Sequence, residues 1–129
     1  MTTKQQRESV LNTATILQHV EKRQQASQLL LLAIVDKRPM NIADVRQVLR
    51  SCLGELRKKA RKDFYFDLGW LETPNTILED FVSLNWVDNK HHSTLTYQST
   101  KIGKAALVAQ WQSLEPYFGI SLEQFQQMC

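Results

Sequence analysis

A mainly α-helical fold carrying a two-stranded β ribbon is what this 129-residue chain predicts, on three observations. Only four glycines and three prolines are present, which favours long elements over many turns. Apolar residues recur three and four positions apart through most of the chain, the period of a helix with one buried face. Between Thr73 and Leu107 the pattern changes from helical to alternating and back, so a helix, a ribbon and a helix follow one another.

The elements are justified in order. From about Thr3 to Arg23, Val10, Leu11, Ala14, Leu17 and Val20 form one apolar stripe on an otherwise polar helix, which must be buried against the body or a partner. A second helix runs from Gln24 or Ala26 to Lys37. Its run Leu29 to Val35 is apolar nearly all round, as a helix at the centre of a core would be, and Pro39 ends it. Asn41 is placed to cap a third helix, with Asp44 three residues on. Ile42, Val45, Leu49, Cys52 and Leu56 make its apolar face, and Gly54 leaves open whether it is one helix or two. Asp63 to Glu72 reads as an aromatic connector or a short strand. Thr73 then fits as an N-cap, with Pro74 at the first helical position, where its missing N–H costs nothing. That helix is expected to reach Asn85. Trp86-Val87 and Thr94 to Tyr97 alternate as strands, with Asp88-Asn89 at the turn and a polar tip through His92. Ser99 or Thr100 caps the next helix, which is expected to run to about Leu114 and break at Pro116. Ser121 opens a last short helix to Met128.

The segments Gln28 to Lys37, Asn41 to Leu53, Thr73 to Asn85 and Val87 to Tyr97 resemble the helices and ribbon of a winged-helix domain. The phrase Leu95-Thr96-Tyr97, followed by Ile102-Gly103-Lys104, is similar to that family's common ending of the wing. Small bacterial regulators of the MarR and PadR type are similar in their long terminal helices. The resemblance implies a winged helix-turn-helix over residues 26–98, with an N-terminal arm over 1–25 and C-terminal helices over 99–129 that serve dimerisation. It also implies double-stranded DNA as partner, a homodimer, a role in transcription regulation, and a recognition helix at Thr73 to Asn85. The chain departs from the family in an added segment, Ser51 to Glu72, and in that helix, which carries Glu79 and Asp80 and no Lys or Arg. Phosphates repel such a face. The departure makes a protein–protein assembly module the alternative.

Charge is polarised. Residues 1–62 hold 13 Lys/Arg against five acids, whereas residues 63–129 hold three Lys against eight Asp/Glu. Arg46, Arg50, Arg57 and Arg61 share one helical stripe, with Lys58, Lys59 and Lys62 beside it. Such a stripe releases counterions when it meets phosphates. Asn75 and Thr76 are the polar residues of the next helix that can reach bases, and Lys90, His91 and His92 stand at the expected wing tip. Adjacent histidines chelate one metal poorly, and no Cys or carboxylate ligand stands at fixed spacing, so no metal is expected. No phosphate-cradling glycine loop, nucleophile elbow or His-Glu-x-x-His helix is present. We therefore expect no enzyme and no cofactor. The longest apolar run, Leu29 to Val35, is far below the roughly 20 residues of a membrane span. Two cysteines, Cys52 and Cys129, suit a reducing cytoplasm better than a disulfide scaffold.

Overall fold

The structure is a computed structural model and describes residues 25–60, 74–91 and 94–129. It comprises α1 (25–37), α2 (Ile42–Lys59), α3 (Pro74–Ser83), β1 (Val87–His91), β2 (Leu95–Ser99), α4 (Lys101–Phe118) and α5 (Leu122–Met128). The expected helix Thr3 to Arg23, the connector Asp63 to Glu72 and the Thr73 cap lie outside the described residues.

The core forms around α1. Every side chain from Leu29 to Val35 is buried, as a run apolar on all sides requires. Its end is fixed by Asp36, whose carboxylate accepts from Ser99 Oγ at 2.6 Å and from Gln126 Nε2 at 2.9 Å. Gln126 also donates to the Ala33 carbonyl at 3.0 Å. One carboxylate thus ties α1 to β2 and α5. After Pro39, Met40 makes an antiparallel bridge to Tyr97, so the α1–α2 linker is paired to the ribbon. Asn41 caps α2 as expected, its Oδ1 accepting from the Asp44 N–H at 2.8 Å. Gly54 does not divide α2: the helix is continuous over 18 residues, because Cys52, Leu53 and Leu56 are anchored in the core on both sides of it.

Pro74 opens α3. The helix stops at Ser83, two residues before the expected end, because Asn85 takes the left-handed conformation at φ 61°. Trp86 N–H reaches the Phe81 carbonyl at 2.9 Å and Asn85 N–H reaches that of Val82 at 3.0 Å. This is a Schellman stop, completed by the stacking of Trp86 on Phe81 at 5.6 Å. The expected turn at Asp88-Asn89 is corrected. Asp88 pairs with Gln98, Asn89 with Tyr97 and Lys90 with Thr96, so those residues lie within β1 and the strands run to His91 and Leu95. Ladder bonds and the anchoring of Val87 and Tyr97 in the core outweigh the turn preference of Asp and Asn.

Thr100 caps α4, accepting from Gly103 N–H at 3.0 Å while donating to the Asn85 carbonyl at 2.6 Å. The helix does not break at Pro116 but continues to Phe118. Proline here forfeits one bond in the last turn. The turn is held by Phe118 stacking on Trp111 at 4.3 Å, and it ends at Gly119 with φ 74°. Ser121 and Gln124 form a capping box that starts α5. Leu107, Trp111, Leu114, Phe118 and Phe125, in the C-terminal helices for which the resemblance implies dimerisation, are buried within this core, with Leu122 packed at its edge.

Candidate nucleic-acid interface

The cations of α2 follow from its amphipathic pattern. With Val45, Leu49, Cys52, Leu53 and Leu56 turned inward, Arg50, Arg57, Lys58 and Lys59 are left on the exposed side. Arg46 is half-buried and, with Ala43, Gln47 and Arg50, lines a shallow recess on the first half of the helix. Arg57 to Lys59 lie about 10 Å further along the axis. They sit where the Lys59 carbonyl meets the α4–α5 turn, so close that a Cβ at Gly119 would stand 2.0 Å from that oxygen. The basic stripe is therefore two groups on one helix. Lys58 is engaged with Glu55 at 3.0 Å, an exposed pair that solvent screens. Arg61 and Lys62 lie outside the described residues.

Helix α3 packs on α2 and on β1. Asn75 and Thr76 are exposed in its first turn, and Glu79, Asp80 and Ser83 share its open side. Glu79 is committed: its Oε1 accepts from the Tyr97 hydroxyl at 2.7 Å and from Asn89 Nδ2 at 3.5 Å. Burial, and then the Glu79 carboxylate, push the Tyr97 hydroxyl well above the ordinary tyrosine range. Lys90 stands exposed on β1, His91 pairs with Leu95, and His92 lies outside the described residues.

Four cations that the sequence reading left out converge elsewhere. Lys37 and Arg38 at the end of α1, and Lys101 and Lys104 in the first turn of α4, line a recess of about 260 Å³ above Asp36. Lys104 Nζ stands 3.9 Å from the Asp36 carboxylate. The pairs Lys37-Arg38 and Lys101…Lys104 are visible in the sequence, but only the docking of α4 against the end of α1 joins them. The two cysteines also meet. Hydrogen bonding from Cys129 lowers the Cys52 thiol against the opposing effect of burial, while the same contact and burial push Cys129 up. Among the described residues no three His, Cys, Asp or Glu side chains gather as a metal site, and no helix is long and apolar enough to cross a membrane. No protein-family model, curated protein or solved structure matches the chain.

Proposed function

We propose that this protein binds double-stranded DNA through a winged-helix arrangement and acts as a transcriptional regulator. The observation that carries this reading is the exposed side of α2, where Arg50, Arg57, Lys58 and Lys59 stand on one helix with Arg46 at its edge. The order of elements supports it as well. A helix pair, α2 and α3, is followed by a ribbon, and the Met40–Tyr97 bridge joins that ribbon to the start of the pair. In this reading α2 contacts phosphates, the first turn of α3 offers Asn75 and Thr76 to base edges, and Lys90 on the ribbon reaches the backbone. Most of the affinity is electrostatic, so it falls steeply with salt.

The test is a salt titration of binding to random duplex DNA. The expected result is binding at low ionic strength, with log affinity falling linearly against log salt. Absence of salt-dependent binding overturns the reading. A second reading, a protein–protein assembly module, is favoured by the open side of α3, where the carboxylates of Glu79 and Asp80 repel phosphate; in it the α2 cations meet an acidic partner. That reading would then take the lead.

A further inference from the structure

The chain holds two cysteines, and the fold sets them against each other, although one lies within α2 and the other follows α5. Cys52 is 2% exposed, and Cys129 is half-buried and packed on the same core cluster. The two thiols stand in hydrogen-bonding contact. Each also donates to a carbonyl of its own helix, Cys52 Sγ to Leu49 at 3.6 Å and Cys129 Sγ to Phe125 at 3.3 Å. These bonds hold both sulfurs at the seam between α2 and α5. Both are free thiols, and with no third cysteine in the chain an internal disulfide has one possible pairing.

The helix beside this pair is lightly held. Helix α5 has seven residues, and Phe125 is its one fully buried side chain. Gln126 adds a tie to the Ala33 carbonyl and the Asp36 carboxylate. An element with so little buried surface opens more readily than the core around α1. Each opening of α5 uncovers Cys52 to a small solute.

We propose that Cys52 and Cys129 form a reversible disulfide on exposure to a hydroperoxide, and that this bond is a latch locking α5 onto α2. The Cys52 thiolate attacks one oxygen of hydrogen peroxide and the O–O bond breaks. The departing hydroxide takes up the proton that Cys52 has lost, leaving water and a Cys52 sulfenic acid. The Cys129 sulfur then attacks the sulfur of Cys52. The S–S bond forms, the S–O bond breaks, and a second water leaves with the Cys129 proton. Two thiols give up two electrons, and one peroxide is reduced to two waters. Cys52 starts the sequence because it ionises before its neighbour. A thiol reductant reverses the bond by exchange. The latch stands independently of DNA binding, and its failure leaves the duplex reading untouched.

The test treats the reduced full chain with a small molar excess of hydrogen peroxide and follows its intact mass. The expected product has lost the mass of two hydrogens, and a digest without reductant joins the Cys52 peptide to the Cys129 peptide. Dithiothreitol reverses both results. In the oxidised chain the α5 amides exchange roughly ten-fold more slowly, and the melting temperature rises by roughly 10 °C because a long loop is closed. Cys129→Ser, a change at a half-buried position beyond the last helix, keeps the parent circular dichroism. Its Cys52 takes up oxygen instead, with neither the slower exchange nor the higher melting temperature. A parent chain that gains oxygen while its thiols stay unlinked overturns the proposal. So do disulfides that join two copies of the chain, or an internal disulfide that leaves α5 exchange unchanged.

Discussion

Tyr97 shows how much one side chain joins. Its backbone pairs with Met40 and Asn89, its ring is buried, and its hydroxyl donates to Glu79 on α3. Tyr97→Phe deletes only that last contact, and we expect a loss of about 1–2 kcal/mol in denaturant unfolding. The pH dependence has a definite sign. The folded hydroxyl titrates above the unfolded one, so the stability it contributes is complete below the ordinary tyrosine pKa of about 10 and is lost as pH rises beyond it. Tyr97→Phe should flatten that alkaline decline, and a parallel decline in both proteins would contradict the assignment. The cysteines give a second prediction at this scale. Cys52 ionises first, since hydrogen bonding with Cys129 lowers its thiol while the same contact and burial raise that of Cys129. Thiolate absorbance followed against pH should show a first step that belongs to Cys52 alone, and Cys129→Ala should move that step upward.

At the scale of elements, three glycines with different surroundings separate helix propensity from packing. Gly54 lies in α2 with nothing within 4 Å of an added Cβ. Gly54→Ala should therefore stabilise the protein by about 0.5–1 kcal/mol through helix propensity alone. Gly103 lies in the first turn of α4, where a Cβ would stand 1.9 Å from the Trp86 carbonyl oxygen, and Gly119 combines its clash at Lys59 with a left-handed backbone. Gly103→Ala should cost about 1–3 kcal/mol, since α4 must shift away from the α3–β1 turn. Thermal or denaturant unfolding of the two alanine variants checks the contrast in sign. Equal effects would mean that α4 does not dock at Trp86. The Schellman stop of α3 belongs to the same junction, since Asn85 and Trp86 both hand their carbonyls to Thr100, one to its hydroxyl and one to its N–H.

Over the whole molecule, the division of the α2 cations into two groups gives the functional prediction its form. If α2 follows a DNA backbone, Arg50→Gln and the pair Arg57→Gln/Lys59→Gln should each weaken binding to every sequence alike. The slope of log affinity against log salt should fall by about one unit per lost phosphate contact. Lys58→Gln should change the slope less, because Glu55 already occupies that ammonium. Changes at Asn75 or Thr76 should alter sequence preference with the slope nearly constant. An electrophoretic or fluorescence titration at several salt concentrations resolves these cases. A slope insensitive to every α2 substitution would move the contact to the second cationic recess at Lys37, Arg38, Lys101 and Lys104.

The sequence by itself determined the local elements. The 3.6-residue period located α1 and α2, and the caps at Asn41, Thr100 and Ser121 were legible because a cap satisfies N–H groups only two or three residues away. The basic stripe was legible for the same reason, being the face that a helix leaves outside. Tertiary structure alone decided the remainder. It kept α2 whole through Gly54 and carried α4 past Pro116, because buried anchors on both sides outweigh the local preference of one residue. It drew Asp88 and Asn89 into a strand through partners eight and ten positions away. It brought Lys37 and Arg38 beside Lys101 and Lys104, and it chose which apolar side of α4 to bury. Neighbours distant in the chain set these outcomes, and no local pattern in the residues themselves encodes them.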